Sequence, residues 1–237
     1  MLNRFSAAWP LVFIGVLACA SAFARPDRRP EEALAAMKAA GRQGADVAHV
    51  RWSKVRSQKR HTSFFFADYD PGRGLGQLWA FDEASGKAWL VAERVSFHLT
   101  LANDARLFFV AAVSADGAGV LSVAQLPQGP ARPVDAGVPR FGLELDEDGR
   151  TGFYLARLSD GAGELRALPL DSLQPRTVAR GVSDFRLDPH ADRLIFVEAV
   201  PGRGNVLRSA ALPLTADVID LGPVKGARVP SRALASR

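Results

Sequence analysis

Cysteine occurs once in this chain of 237 residues, at Cys19. One cysteine excludes an internal disulfide. Removal or lipidation of the segment that holds it leaves no free thiol, which excludes cysteine nucleophiles, thiolate metal sites and thiol redox chemistry. Histidine is scarce too, with His49, His61, His98 and His190 making up the four. None stands as His-x-His or in a His-Glu-x-x-His arrangement, and no second ligand set sits at metal spacing. The expectation is therefore no metal and no cofactor. A Gly-x-Ser-x-Gly elbow is absent, and the mature chain has no Ser-x-x-Lys, so the common serine nucleophile motifs are missing. A triad dispersed in sequence stays open, since triads are recognised in space.

The apolar stretch near the start, Leu11–Ala18, is too short to span a bilayer stably. With Arg4 before it and Ala22-Phe23-Ala24 after it, residues 1–24 read as an export signal. Cleavage after Ala24 gives a mature chain that begins Arg25-Pro26. The alternative uses Val16-Leu17-Ala18-Cys19 as a lipobox, which ends the signal at Ala18 and makes Cys19 a lipidated, membrane-anchored N-terminus. Either way the protein is expected outside the cytoplasm, periplasmic or secreted.

What the chain does have is an internal repeat. Ser96–Val138, Pro139–Val182 and Ser183–Val224 can be laid over one another, and a degenerate copy runs from about Val47 to Val95. A β-type period of about 40–45 residues is the mark of a propeller blade array. Each copy opens with alternating apolar residues, as in Phe97, Leu99 and Leu101, or Phe141, Leu143 and Leu145, or Phe185 and Leu187. Alternation fits a half-buried strand. After a polar turn comes a nearly continuous apolar run, Leu107–Val113, Phe153–Leu155 or Leu194–Val200, with Phe64-Phe65-Phe66 at that place in the first copy. Such a run fits a strand covered on both faces. A Gly-containing turn, a third strand and a short fourth strand complete each unit. The expected fold is all-β: about four four-stranded blades over residues 47–224, a helical segment over 25–46 and a basic tail over 225–237. We expect a compact array; the alternative is an open arc that needs a partner, a homodimer or a capping segment to protect its ends.

At Leu187-Asp188-Pro189-His190-Ala191-Asp192-Arg193-Leu194-Ile195-Phe196 the sequence resembles the Ser-Pro-Asp-Gly-Lys-x-Leu-x-Phe motif of TolB-type (WD40-like) β-propeller repeats. Asp148-Gly149-Arg150 keeps the Asp-Gly-basic part, whereas His190-Ala191 departs from it. The resemblance implies a propeller fold; such repeats serve many unrelated roles, so it implies little about activity.

Charge is unevenly placed. Residues 25–60 hold ten Lys/Arg against four Asp/Glu, a net of +6, while residues 61–220 hold fifteen against twenty-one, a net of −6. An acidic body on an exported chain argues against nucleic acid as a partner. Before the repeats, Pro30, Glu31, Glu32 and a closing Gly41 predict one helix, with Leu34, Met37 and Ala33 as a narrow face that packs on the first blade. Residues from Lys225 read as a frayed tail, and the run Arg51, Lys54, Arg56, Lys59 and Arg60 as a long solvated loop. Trp52, Trp79 and Trp89 fall together in the first copy.

Two motifs invite a site and are better read as turns. Gly72-Arg73-Gly74-Leu75-Gly76 lies between strands rather than before a helix, and Asp146-Glu147-Asp148-Gly149 lacks the later bidentate Glu of a calcium loop. Where a ligand binds, propeller geometry favours the loops that lead into the innermost strands. Those loops hold Arg94, Arg140 and Asp184 at nearly equivalent places, which makes them the candidate binding residues. The leading expectation is a non-catalytic scaffold that binds a protein or envelope component. A hydrolase or lactonase-like enzyme at the channel mouth is the alternative, favoured if three or more of Glu93, Arg94, Arg140, Asp184 and a histidine come within hydrogen-bond reach around one pocket.

Overall fold

The computed structural model describes residues 29–42, 50–103, 105–127, 129–140, 142–188, 192–214 and 218–229. The export signal with Cys19, the stretch 43–49 with His49, Phe141, His190 and the chain from Pro230 lie outside the described residues.

The one helix among the described residues, α1 (Arg29–Ala39), has Glu31 and Glu32 in its first turn and Lys38 in its last, the order its dipole favours. Gly41 ends it in the left-handed region at φ +88°. Its N–H donates to Lys38 O, and the Arg42 N–H donates to Met37 O, the paired bonds of a Schellman stop. The buried stripe is Ala33, Ala36 and Met37, with Leu34 half-buried at its edge.

Four antiparallel blades follow. The first is β1 (Arg51–Ser57), β2 (Thr62–Asp70), β3 (Leu75–Asp82) and β4 (Lys87–Ser96); the second is β5 (Leu99–Ala102), β6 (Arg106–Ala111), β7 (Ala118–Gln125) and β8 (Arg132–Pro139). The third is β9 (Glu144–Leu145), β10 (Thr151–Ser159), β11 (Ala162–Pro169) and the start of β12 (Arg176–Asp188). The fourth is the end of β12 with β13 (Arg193–Val200), β14 (Gly204–Ala211) and β15 (Val218–Pro223). Strand β12 pairs with β11 as far as Val182 and with β13 from there on, across a bulge at Val182/Asp184. One strand thus closes the third blade and opens the fourth. The fourth strands run well beyond the short segments expected, because bulges let them curve on toward the axis.

Alternate residues of each middle strand face opposite neighbours. In β2, Phe65 packs under α1 with Trp79, Phe81 and Met37, while Phe64 and Phe66 meet Leu107 and Phe109 of the second blade. Phe108, Val110 and Leu121 then meet Tyr154 and Ala156, and Phe153 and Leu165 meet Leu194 and Phe196. Trp52 stands 5.1 Å from Phe65 and Trp79 stacks on it, so these tryptophans belong to the helix-capped core. Arg51, Lys54 and Arg56 lie in strand β1 and not in a loop, since the turn spans only residues 58–61. Arg51 sits 4.1 Å over Phe97 and Arg56 pairs with Glu83.

Among the described residues no strand pairing and no hydrophobic cluster joins the first blade to the fourth. The array is an open arc with covered ends rather than the compact closed one expected. The reason is that both outward faces are already occupied: α1 covers the first blade, and Val224 and Val229 pack on Ile195, Val197 and Leu207 of the fourth. Residues 224–229 are accordingly a docked segment and not a frayed tail.

Two backbone devices recur with the repeat. Asp68, Ala112 and Arg157 adopt φ of +49°, +51° and +53° at or just past the end of the second strand of each of the first three blades, with a register shift there in the first and third. The preceding carbonyls, Ala67, Ala111 and Ala156, then press against Gly76, Gly119 and Gly163, where a Cβ would sit 3.0, 2.6 and 2.5 Å away. In the fourth blade β13 pairs with β14 without a shift, and Val206 replaces the glycine. The second device is a left-handed residue near the end of each outer strand: Gly137, Gly181 and Gly222 in three blades, and Arg94 at φ +50° in the first.

Candidate functional site

The second-to-third-strand turns and the outer-to-inner-strand connections lie at one mouth of the arc. Between the first two blades they enclose a groove of about 690 Å³, lined by Asp68, Asp70, Arg73, Glu93, Arg94, Asp116 and Arg140 among others. Arg94 and Arg140, two of the three candidate residues, therefore share one groove.

Each arginine is held by a carbonyl of a neighbouring blade. The Arg94 guanidinium donates to Val113 O, while the Val113 N–H donates to Arg94 O at 3.4 Å. Arg140 reaches back over the groove to Arg73 O at 2.7 Å, and its own carbonyl accepts from the Ser96 hydroxyl. The carboxylates are set by their turns. Asp70 accepts from the N–H groups of Gly72 and Arg73 at 2.9 and 3.1 Å, so Gly72–Gly74 lie in a hairpin turn and Leu75-Gly76 open β3. Asp116 accepts from the Ser114 hydroxyl, which holds its carboxyl below the usual range. Asp68 pairs with Arg42 from the turn after α1. The groove thus offers side chains already fixed in place, with no histidine among the described residues of its wall.

Asp184 lies elsewhere. It accepts from the Val229 N–H at 2.9 Å and stands 4.0 Å from Arg186, in a separate groove of about 490 Å³ between the third and fourth blades. That groove also holds Glu144, whose carboxyl burial pushes up against the lowering effect of Arg186 at 3.3 Å. Of the groups whose meeting would favour an enzyme, Glu93, Arg94 and Arg140 line the first groove, where each arginine donates to a backbone carbonyl, and Asp184 stands in the second. Asp146 uses its carboxylate to accept the Arg150 and Thr151 N–H groups at 2.7 and 3.0 Å, the role of a turn. Among the described residues no group of His, Cys, Asp and Glu gathers to hold a metal ion.

A buried polar cluster escaped sequence reasoning. Between the second and third blades the Tyr154 hydroxyl donates to Asp135 at 2.7 Å, and Arg166 bridges Asp135 and Glu164. Arg180 approaches Glu164 at 3.0 Å from the rim. Burial, with Asp135 next to it, pushes the Tyr154 hydroxyl far up. The legible signal was Glu164 and Arg166 at alternate places of a strand that should face a neighbouring blade.

The fold is that of a β-propeller blade array. No protein-family model and no curated protein matches the sequence. Similar solved structures include a prolyl endopeptidase, with TM-score 0.51 and 12% identity over 75% of this chain and 29% of that one. TolB from Acinetobacter baumannii has TM-score 0.45 and 11% identity, covering 75% of this chain and 44% of that one. The putative TolB from Agrobacterium tumefaciens gives 0.45 and 13%, covering 73% and 62%. The chain spans less than half the length of the Acinetobacter protein, and at these identities the likeness is one of fold.

Proposed function

We propose that this chain is an exported, non-catalytic propeller that binds a protein of the cell envelope through the groove between its first two blades. The carrying observation is Arg94. Three blades place glycine at its position, where the left-handed backbone is free of strain, and the first blade accepts a strained arginine whose guanidinium lines the groove. Strain of this kind is retained where a side chain is needed. Both outward blade faces are covered among the described residues, which favours a different protein over ring completion by a second copy. The export signal read over residues 1–24 supports an envelope location.

The test is co-purification from the envelope with the whole chain, with mass spectrometry of the bound proteins and of the mature N-terminus. Arg94→Gly is expected to leave the thermal midpoint unchanged or raised, because relief of about 1 kcal/mol of backbone strain offsets the lost bond to Val113. Combined with Arg140→Ala it should lower recovery of the partner at least tenfold. Undiminished recovery from the double variant removes the groove from the binding surface. A mature N-terminus at Cys19 bearing lipid, in place of Arg25, would make the protein membrane-anchored.

A further inference from the structure

The contacts of residues 224–229 at the other groove are made almost wholly through their backbone. The Ser183 hydroxyl donates to Ala227 O at 2.8 Å, the Asn205 amide to Gly226 O at 2.9 Å, and the Val229 N–H to the Asp184 carboxylate at 2.9 Å. The Val224 N–H donates to Asn205 O at 2.9 Å. Only Val224 and Val229 reach the apolar face of the fourth blade, while Lys225 and Arg228 stay exposed. Nothing here reads side-chain identity beyond two apolar anchors five positions apart and cationic residues between them. The charge is complementary: the segment carries two cations and no acid, and residues 61–220 have a net charge of −6, fifteen basic against twenty-one acidic. Next to the segment, Ala227 and Arg228 form one wall of the groove, with Leu155, Leu158 and Phe185 facing them.

We propose that residues 224–229 are a displaceable strap, and that the mouth between the third and fourth blades docks an extended cationic segment of a partner protein in its place. The strap shows which chemistry the site accepts. Its anchors Val224 and Val229 are only half-buried, unlike the fully buried Ala33 and Met37 of α1 at the opposite end, so it is the end of the arc that opens. A segment arriving in trans would offer the same carbonyls to Ser183 and Asn205 and the same N–H to Asp184. This site is independent of Arg94 and Arg140 and stands or falls separately from the first groove.

The test uses the full chain and a dye-labelled Val-Lys-Gly-Ala-Arg-Val peptide followed by fluorescence anisotropy. Val224→Ser with Val229→Ser loosens the strap and leaves Ser183, Asp184 and Asn205 intact. The loosened chain is expected to bind the peptide at least tenfold more tightly than the unaltered chain, less so at high salt, and to lose binding when Asp184→Asn is added. No binding, or equal binding by the loosened and unaltered chains, overturns the proposal. Should the loosened chain not fold, hydrogen exchange on the unaltered protein decides. The Val224 and Val229 amides should exchange at least tenfold faster than the Val197 amide, and a common rate overturns displaceability. A concentration-dependent dimer of the loosened chain in light scattering, with straps exchanged between copies, overturns the choice of a different protein as occupant.

Discussion

Gly163→Ala is expected to destabilise the chain by about 3 kcal/mol, Gly119→Ala by nearly as much, and Gly76→Ala by about 1 kcal/mol, read from the midpoints of urea unfolding. The order follows the room each site leaves. A Cβ at Gly163 or Gly119 would stand 2.5 or 2.6 Å from a backbone carbonyl that cannot rotate away, and at Gly76 it would stand 3.0 Å away. Elsewhere in a strand the same substitution tends to stabilise, since alanine loses less backbone freedom on folding. The sign of the effect therefore reports the close approach of the carbonyl itself. The fourth blade supplies the control, because it carries Val206 at the corresponding place opposite the outer strand. Three substitutions that all stabilise would show that the carbonyls yield, and their closeness would then not explain the glycines.

Arg166→Met is expected to cost about 3 kcal/mol, because it leaves two carboxylates in a blade interface without their shared cation. The Asp135, Glu164 and Arg166 side chains are each about 10% exposed, so water compensates little. Arg180 and Arg157 at the rim partly neutralise Glu164, which keeps the effect at the lower end of the usual range. Arg166→Lys should recover part of the loss, since an ammonium restores the charge but not the fork that reaches both acids. The pH dependence has a definite sign. The bonds from Arg166 hold the Glu164 carboxyl below its ordinary value of 4.5, so this stabilisation is complete above that value and is lost as pH falls below it. The acid limb of the stability curve should be shallower in Arg166→Met than in the unaltered chain. Identical limbs would place Glu164 outside the stability-determining network.

The repeat was legible because it is written in hydrophobic period. Strand β6 and the phenylalanines of β2, β10 and β13 fall where the continuous apolar runs stood, and Val95, Val138 and Val182 end three blades at the copy boundaries. The first blade was harder to read. Its inner strand β1 alternates basic residues with Trp52 and Val55, so Arg51, Lys54 and Arg56 looked like a solvated loop. Arg94 and Arg140 were brought together as the loop geometry required, whereas Asp184 was not, because the chain's own strap takes its carboxylate. The close carbonyls leave a trace in the sequence: Gly76, Gly119 and Gly163 in the third strands of three copies, at the place opposite the outer strand where the fourth has Val206. Openness of the arc could not be read from the repeats, because it depends on which segment covers each terminal face.

The passage of β12 through two blades bears on how the arc can deform. The third and fourth blades share one seven-stranded sheet and behave as a single stiff plank. Between the other blades the chain leaves strand geometry, around Phe97 and His98 and again after Pro139. Any tightening or widening of curvature must be taken up at those two joints. The first groove lies across one of them, with Arg94 and Arg140 spanning the seam, so its aperture is the dimension most sensitive to bending.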